Sequence, residues 1–457
     1  MKLPAGHRVL VGHGVNMDNQ TKRVPVYLYD EHRKRGTFVF GTTGVGKTKL
    51  EELLVTDDIE SGKSVIVMDP KADQGLFSKI FDVAKRSGRA DELQLITPIY
   101  PQYSATIDPM AYYYDPEELV QHALSGVQGN DPFYGSAGRL FVTPIIYGNL
   151  ILARAEGRLP TISLNQIYQG IRHSALEELK TALGALPAEI AEQEDVPFYI
   201  TMLESNLAKP ADYYEKISTT LQSSLVPLIS GNIGKIVGKA DSNKLIKRIE
   251  EGQRVICVIH TGSMISPSSA AILGRTLLSM IKAAAGRYYS SSRERIEPAL
   301  SLHIDEAPTV ITPATLDILA MAGSANVMTH LYAQSVSQIH AALGNKDLGI
   351  SAMSNTNNKF FMRCPDADTA EYVVRHFGTR EVLSGVFGNN QITTRQVEKN
   401  VLKETDLLDL QPQESYMLSY TGRWAFVVNS VPESGTKIVF PDAPTAMANY
   451  ADAGVAV

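Results

Sequence analysis

The stretch GTTGVGKT, residues 41–48, constrains the fold more than any other part of this sequence. It follows an apolar run, TFVF, and it precedes a segment in which Leu50, Leu53 and Leu54 recur at helical spacing. The pattern G-x-x-x-x-G-K-[ST] between a strand and a helix is typical of a loop whose backbone N–H groups surround phosphate oxygens. The sequence therefore predicts an α/β fold with a phosphate-binding loop at the end of a strand.

We expect this loop to bind a nucleoside triphosphate. The predicted contacts come from consecutive residues: Thr43, Gly44, Val45, Gly46, Lys47 and Thr48. The glycines let backbone N–H groups point inward, and the dipole of the following helix favours an anion. Lys47 is expected to reach the β- and γ-phosphates, and the Thr48 hydroxyl is expected to bind Mg²⁺. ATP and Mg²⁺ are therefore the predicted cofactors.

A later apolar strand, in ALSLHIDEAP, ends in the acidic pair Asp305 and Glu306. A carboxylate at a strand end beside a phosphate loop can hold Mg²⁺ through its water shell, and a neighbouring carboxylate can polarise an attacking water. We assign the metal role to Asp305 and the role of catalytic base to Glu306. An acidic strand end that only caps the next helix is the alternative, and the presence of the loop favours catalysis.

Two further strand ends carry candidate site residues. Gln334 follows the apolar run in THLYAQSVSQI, where a parallel sheet would bring its amide near the γ-phosphate. We predict that Gln334 senses ATP against ADP, because an uncharged amide does not compete for Mg²⁺. Asp69-Pro70-Lys71 closes another predicted strand, and these residues either line the same crevice or form a simple turn.

The remaining pattern predicts how the chain is organised. Apolar runs such as SVIVMD, LQLIT, RVICVIH and KFFMRC alternate with helix-like sequence, and SYMLSYTGRWAFVVNSV predicts a hairpin turning at Thr421–Gly422. Continuous apolar strands that alternate with helices favour a mostly parallel sheet covered on both faces. Residues 115–239 instead show helical periodicity, punctuated by Pro187 and Pro227. We predict an all-α domain inserted into an α/β domain.

Composition sets weak limits on function. The chain is 44% hydrophobic and 20% charged, as in ordinary globular proteins. Its net charge of −6 neither favours nor excludes a nucleic-acid partner, because a local basic patch suffices. The densest basic cluster, EHRKRG with residues 32–35 at its centre, is more typical of a solvated turn than of a phosphate clamp.

The cysteines and the longest apolar stretch bear on the compartment. Cys257 and Cys364 lie within apolar runs, which favours buried thiols in a reducing compartment over a disulfide or a metal site. The most apolar stretch begins at Phe141 and is interrupted by Pro144 and Asn149, so we expect it to be too short to span a bilayer. We therefore expect no transmembrane segment in this chain.

Five stretches together resemble the TraD/TraG-type coupling proteins of conjugative type IV secretion, within the FtsK/HerA group of RecA-like motors. They are GTTGVGKT, VMDPKAD, HIDEAP, YAQSVSQI and the run from Phe360 to Gly378. The resemblance extends from about Val24 to Asn429. It implies a RecA-like P-loop domain with a mostly parallel central sheet, and an inserted all-α domain. The implied boundaries are 1–110 and 240–440 for the RecA-like domain, 115–239 for the insertion and 441–457 for a C-terminal tail.

The resemblance also implies a function. Such proteins form a hexameric ring that hydrolyses ATP between neighbouring subunits and pulls DNA through its channel. The implied partners are DNA, a relaxase or other secreted substrate, and type IV secretion channel components at the inner membrane. The implied location is the cytoplasmic face of that membrane. Carried over by position, Lys47 and Thr48 bind phosphate and Mg²⁺, and Asp305, Glu306 and Gln334 keep the roles given above.

The sequence departs from the family pattern in two places. Family members usually begin with transmembrane helices, so this chain is either a soluble portion or a relative that meets the membrane through a partner. Relatives often carry an arginine between the acidic pair and the sensor glutamine, but LAMAGSANVMTH contains none. A finger that reaches a neighbour's nucleotide must then lie elsewhere. Among Arg363, Arg375, Arg380 and Arg275 we favour Arg363.

Two other functions remain open at this stage. A HerA/FtsK-type translocase of duplex DNA, or a packaging ATPase outside conjugation, would share the same catalytic residues. An adaptor that uses ATP only to assemble belongs to a different class and would be expected to lack the base. The presence of Glu306 disfavours that adaptor.

Overall fold

A computed structural model describes residues 6–18, 22–127, 132–238, 243–289, 295–313, 316–388 and 391–440. The predicted C-terminal tail, residues 441–457, lies outside the described residues. The strands in chain order are β1 (Arg8–Asn16), β2 (Val24–Tyr29), β3 (Thr37–Phe40), β4 (Ser64–Asp69), β5 (Leu93–Ile96), β6 (Ile256–His260), β7 (Leu300–Ile304), β8 (Val327–Ala333), β9 (Asn358–Phe361), β10 (Thr379–Gly388), β11 (Gln391–Asn400), β12 (Glu414–Ser419) and β13 (Gly422–Val428).

Helices separate most of these strands. They are α1 (Asp30–Arg33), α2 (Lys47–Glu60), α3 (Gln74–Arg86), α4 (Pro116–Leu124), α5 (Pro132–Ala155), α6 (Leu164–Gly170), α7 (His173–Gly184), α8 (Ala188–Gln193), α9 (Val196–Leu207), α10 (Ala211–Ile229), α11 (Gly231–Ile236), α12 (Lys244–Glu250), α13 (Pro267–Tyr289), α14 (Leu316–Met321), α15 (Val336–Leu343), α16 (Lys346–Ser354), α17 (Ala367–Phe377) and α18 (Glu404–Asp409). The α/β class predicted from the sequence is confirmed.

One large sheet organises the described part of the chain, with the strand order β2-β1-β13-β12-β9-β3-β8-β7-β4-β6-β5. The seven strands from β9 to β5 run parallel, and the four strands at the other end pair antiparallel. β8 lies between β3, which enters the phosphate loop, and β7, which ends at the acidic pair. Because parallel strands end at one edge of a sheet, the segments after β3, β4, β7 and β8 meet there.

Six of the seven parallel strands are buried on both faces, as the continuous apolar runs predicted, and the edge strand β5 is half-buried. Val39 of β3 packs with Leu50 and Leu54 of α2 on one face. Its neighbours Phe38 and Phe40 point to the opposite face, into the core that includes α13 and the helical insertion. This alternation follows from the two-residue period of a strand, and it anchors α2 against the sheet directly behind the phosphate loop.

Between β5 and β6, the described residues form helices α4 to α12 and one short 3₁₀ helix, Pro101–Tyr103. Arg287 of α13 connects this segment to the core, because it pairs with Glu118 of α4 and with Glu250 of α12. The guanidinium carbon also lies 5.1 Å from the centre of the Tyr114 ring. The proline at 227 falls inside α10 and does not end it.

Helix α5 is longer than the sequence suggested. It runs for 24 residues and continues through Pro144, so its length corrects the expectation that this stretch is too short to span a bilayer. Among the described residues, the portion Phe133–Ala155 is the one helix long and apolar enough to cross a membrane. Most of that portion is buried inside the protein, with Phe141, Ile145 and Leu150 in the main core. The core helix of a soluble protein passes the same test.

The basic cluster before β3 is divided between the interior and the surface. Arg33 is completely buried and donates from Nη1 to Asp58 Oδ1 at 2.7 Å and from Nε to His330 Nε2 at 3.0 Å. Although burial opposes the charge of Asp58, the Arg33 guanidinium holds the pKa of Asp58 well below its usual range. Lys34 pairs with Glu31 at 2.6 Å, and Arg35 is exposed. Most of this basic cluster therefore forms ion pairs within the protein.

We expect Arg33→Ala to lower the free energy of unfolding by about 3 kcal/mol, the lower end of the range for a broken buried ion pair. The substitution removes the guanidinium that binds both oxygens of the buried Asp58 carboxylate, whereas Lys63 Nζ stays 3.2 Å from Asp58 Oδ1 and offsets part of the loss. Urea unfolding at neutral pH measures the loss. The matched control is Arg35→Ala, an exposed arginine two positions away, which should change stability by less than about 0.5 kcal/mol. Since the pKa of Asp58 is lowered, its contribution is complete above the unfolded pKa and is lost as pH falls through the folded pKa. Equal, small losses for both variants would contradict this interpretation.

Candidate functional site

The phosphate loop has the backbone that its glycines predicted. Gly44 and Gly46 have φ angles of 81° and 112°, a region that residues with side chains rarely adopt. A Cβ atom on Gly46 would also lie only 3.1 Å from the backbone of Gln413. Helix α2 begins at Lys47, so the N–H groups of its first turn lack partners within the helix and favour an anion in the loop.

The ends of two parallel strands support this loop. Gly41 N donates to Ala333 O, the last residue of β8, at 3.2 Å. Thr42 N donates to Arg363 O, just beyond β9, at 3.0 Å. Because both neighbours of β3 are bonded to the loop, its position relative to the sheet edge is set by the sheet itself.

The Lys47 side chain is folded over the loop. Its Nζ donates to Gly41 O at 2.6 Å and to Thr42 O at 2.9 Å. Burial lowers the pKa of Lys47, against the opposing charges of Asp305 and Glu306. The ammonium therefore lies at the loop and is near both members of the acidic pair, as the predicted phosphate role requires.

The acidic pair lies across β8 from the loop. Asp305 N donates to Met68 O at 2.9 Å, which ties the end of β7 to β4. Burial raises the pKa of Asp305, and the charge of Glu306 adds to the rise. Glu306 has φ of 44° and ψ of 48°, a left-handed conformation that costs energy in a residue with a side chain.

Glu306, Gln334 and Lys71 form one hydrogen-bonded group. Lys71 Nζ donates to Glu306 Oε1, and Gln334 Nε2 donates to the same oxygen at 3.4 Å. The fold thus places the predicted base and the predicted sensor side by side, as β8 between β3 and β7 requires. Although partial burial opposes its charge, the bond to Glu306 and the charges of the acidic residues raise the pKa of Lys71.

The turn that carries Lys71 is held by Asp69. Asp69 accepts hydrogen bonds from the N–H groups of Lys71, Ala72 and Asp73, at 2.9, 3.1 and 2.5 Å. Burial nevertheless raises the pKa of Asp69 to about 6, and the charge of Asp305 adds to the rise. The sequence left Asp69-Pro70-Lys71 open between crevice and turn, and the structure shows that the segment is both.

Sequence reasoning missed Glu51, a buried carboxyl on α2 that lies 1% exposed. Burial, together with the charges of Asp305 and Asp69, raises its pKa well above the usual value. The sequence signal was a glutamate one helical turn after Lys47, on the helix that follows the phosphate loop. Glu51 adds to the density of carboxyl groups at the sheet edge.

The four arginines considered for the finger role differ in position and exposure. The backbone of Arg363 binds the phosphate loop of its own chain, and its side chain is exposed. Arg375 on α17 and Arg380 on β10 are also exposed. Burial lowers the pKa of Arg275, which lies on α13. The assignment of a finger to Arg363 stays a prediction.

The predicted Mg²⁺ ligands fit a hard divalent cation. Thr48 and Asp305 offer oxygen donors beside the loop. Burial raises the pKa values of Asp305 and Asp69, and neighbouring carboxylates add to the rise, so a bound cation would stabilise the charged forms of both. In the part of the chain that the structure describes, no three His, Cys, Asp or Glu side chains converge as a metal cage. Mg²⁺ at nucleotide sites instead takes most of its ligands from phosphate and water.

The class of protein follows from this arrangement. A phosphate loop after β3, an acidic pair after β7 and a glutamine after the intervening β8 define a RecA-type P-loop α/β domain. Within that class, residues 299–412 match the family model described as the TraM recognition site of TraD and TraG. The type 4 coupling protein DotL of Legionella pneumophila is 31% identical over 71 residues, which are 16% of this chain and 9% of DotL.

Solved structures share the fold over nearly the whole chain. The bacterial conjugative coupling protein TrwBdeltaN70 superposes with a TM-score of 0.67 at 17% identity, covering 93% of this chain and 89% of that one. TrwB in complex with ADP and Mg²⁺ gives 0.67 at 15% identity, covering 95% and 98%. VirB4 of Thermoanaerobacter pseudethanolicus gives 0.52 at 14% identity, covering 93% and 98%. Together with the sequence matches, these confirm the resemblance to TraD/TraG-type coupling proteins.

Proposed function

We propose that this protein is an ATP-hydrolysing motor that moves DNA and delivers a nucleoprotein substrate to a conjugative type IV secretion system. The observation that carries the proposal is the placement of Glu306 and Gln334 together, at the sheet edge that also holds the Lys47 loop. A protein that only binds ATP needs the loop but does not need an oriented base and a sensor amide.

The residues divide the hydrolytic step between them. The loop N–H groups and Lys47 hold the phosphates, and the Lys47 ammonium exchanges its present bonds to Gly41 O and Thr42 O for phosphate oxygens. Glu306 takes a proton from water as the water oxygen bonds to the γ-phosphorus. The bond between that phosphorus and the β-γ bridging oxygen breaks, so ADP leaves with the electron pair. Gln334 lies against Glu306 and responds to loss of the γ-phosphate.

Thr48 and Asp305 are the residues that hold Mg²⁺ in this proposal. When bound, the ion neutralises charge on the phosphate oxygens. Support for the cofactor pair comes from the fit of the oxygen donors described above and from TrwB, which has been solved in complex with ADP and Mg²⁺. TrwB has also been solved with a GTP analogue and with an ATP analogue, so purine selectivity is a separate question for this chain.

Support for a secretion partner comes from the matched family region. Residues 299–412 correspond to a region described as the TraM recognition site, and they include the acidic pair, the sensor and the β10–β11 hairpin. We infer that the chain docks with DNA-processing and channel components through surfaces near this region. The same resemblance supports a homo-hexamer at the cytoplasmic face of the inner membrane.

The test is the steady-state ATPase rate measured with single-stranded DNA, with double-stranded DNA and without DNA, over a series of protein concentrations. We expect DNA to stimulate hydrolysis and the specific rate to rise with protein concentration, because a ring must assemble to complete each site. Lys47→Ala serves as the blank. A rate that is linear in protein and indifferent to DNA would contradict the motor.

A translocase of duplex DNA outside conjugation is the second candidate. The fold alone does not separate it from the coupling motor, and it would use the same catalytic residues. Stimulation by double-stranded DNA alone would favour this candidate, whereas stimulation by single strands would favour the coupling motor. Absence of hydrolysis with intact nucleotide binding would favour an ATP-dependent adaptor.

A further inference from the structure

Lys71 is a cation at the site that the proposed function leaves without a role. Its Nζ bonds to Glu306 Oε1, the oxygen that also receives the amide of Gln334. Both hydrogen bonds therefore end on the same oxygen of the Glu306 carboxylate. The Lys71 side chain is 45% exposed, whereas Glu306 is 12% exposed, so the pair lies at the mouth of the crevice.

The backbone that presents Lys71 is held on two sides. Asp69 accepts three consecutive backbone N–H bonds from the turn, including the N–H of Lys71 itself. Pro70 O accepts hydrogen bonds from the N–H and from the hydroxyl of Ser263, both at 2.9 Å. The next residue, Ala72, has φ of 59°. A turn that is tied to both β4 and the loop after β6 can hold an ammonium in one place.

We propose that Lys71 is a positioning residue that sets the orientation of the Glu306 carboxylate for catalysis. Lys71 and Gln334 hold Oε1 between them, which fixes rotation about the last side-chain bond of Glu306. Oε2 is then the oxygen that accepts the proton of the attacking water. This inference rests on the proposed function, and it adds a residue from the turn after β4 to a site otherwise built from the segments that follow β3, β7 and β8.

The physical reason is the sensitivity of proton transfer to geometry. A base must lie within hydrogen-bond reach of the water in the reacting pose, and an error of about 1 Å can cost about 100-fold in rate. The backbone of Glu306 is already in the left-handed region, at φ of 44°, so its side chain leaves the strand end in an unusual direction. A fixed cation beside it restricts the carboxylate to one arrangement.

The test compares Lys71→Met, Lys71→Arg and wild-type protein, with Lys85→Met on exposed α3 surface as the matched control. We expect Lys71→Met to lower kcat about 10- to 100-fold. Its Kd for a fluorescent ATP analogue with Mg²⁺ should stay within about threefold of wild type, because Lys71 bonds to the base and the loop is untouched. Lys71→Arg retains the charge and should recover most of the rate. Lys85→Met should match wild type in both measurements.

A double-mutant cycle with Glu306→Gln separates positioning from a merely structural role. If Lys71 acts through Glu306, then Lys71→Met should change the residual rate of the Glu306→Gln protein by no more than about twofold. If the rate losses of Lys71→Met and Glu306→Gln multiply in the double variant, the inference is wrong. It is also wrong if Lys71→Met raises Kd tenfold and leaves kcat unchanged. If Lys71→Met hydrolyses ATP at the wild-type rate while Lys47→Ala is inactive, the inference about Lys71 is wrong but the proposed function stands. A wild-type protein without ATPase activity would overturn the proposed function and the inference with it.

Discussion

Lys47→Ala is expected to abolish nucleotide turnover while leaving the fold intact. The Lys47 ammonium lies over the loop at 2.6 Å from Gly41 O, and no other lysine occupies that position. Removing a preorganised charge that stabilises the transferring phosphoryl group costs about 10²–10³ in kcat. The lost charge-assisted bonds, worth about 1.5–3 kcal/mol, also weaken nucleotide binding by about tenfold or more. Steady-state hydrolysis and binding of a fluorescent ATP analogue measure the two effects.

Lys49→Ala is the matched control for that variant. Lys49 lies two positions further along α2, is 42% exposed and pairs with the buried Glu52. It should retain the wild-type rate, because its side chain bonds to Glu52 rather than to the phosphate loop. Lys47→Ala should unfold at a temperature close to that of the wild type. Equal rates for Lys47→Ala and Lys49→Ala would show that hydrolysis does not occur at this loop.

Glu306→Gln is expected to bind ATP and to hydrolyse it very slowly. The substitution keeps the shape of the side chain and an oxygen that accepts the bonds from Lys71 and Gln334, but it removes the group that takes a proton from water. General-base catalysis contributes about 10²–10⁴ to the rate, so we expect kcat to fall within that range with Kd for ATP preserved. Single-turnover hydrolysis measures the chemical step directly.

Two further variants test whether the loss of rate comes from the Glu306 carboxylate. Glu306→Asp restores a carboxylate that is one methylene short, so its rate should lie between those of wild type and Glu306→Gln. Glu60→Gln alters an exposed glutamate that pairs with Arg86 at the surface, and it should hydrolyse ATP normally. Wild-type turnover by Glu306→Gln would refute the assignment of the base and would leave Asp305 and Asp69 as the candidate bases.

The phosphate loop is connected through the sheet to the predicted sensor. The loop is bonded to the ends of β8 and β9 through Ala333 and Arg363. The sensor Gln334 directly follows Ala333, and its carbonyl accepts a bond from Cys364 Sγ at 3.3 Å. A shift of the loop on phosphate binding therefore acts on the strand ends that carry the sensor and Arg363. In the motor that we propose, this path would transmit the nucleotide state of one subunit to its neighbour.

Much of the fold could be predicted because the parallel strands are buried on both faces. That burial makes each strand a continuous apolar run, as in β4 and β8, and such runs are visible without any structure. The antiparallel strands β1 and β2 and the β10–β11 hairpin were not predicted. β1 and β2 are half-buried at the end of the sheet, with mixed burial patterns. The register that joins β1 to β13 depends on pairing across more than 400 residues.

The candidate site residues could also be named from the sequence, because each lies in a segment that follows a strand or begins a helix at the sheet edge. Glu51 and Lys71 were not assigned, since their partners lie far along the chain: Lys71 bonds to Glu306, 235 positions away. Arg33 was placed at the surface for the same reason. Its counter-charge Asp58 is on α2, and burial of the pair can be seen only when α2 packs on the sheet.

By itself, the sequence determined the phosphate loop, the acidic strand end, the position of the predicted sensor glutamine and the helical segment, because these features depend on residues close together in the chain. Only the tertiary structure decided that β8 lies between β3 and β7, and that Lys71 and Gln334 share one oxygen of Glu306. Strand order and side-chain partners across the sheet arise from packing between distant segments. Local periodicity and turn chemistry carry no information about them.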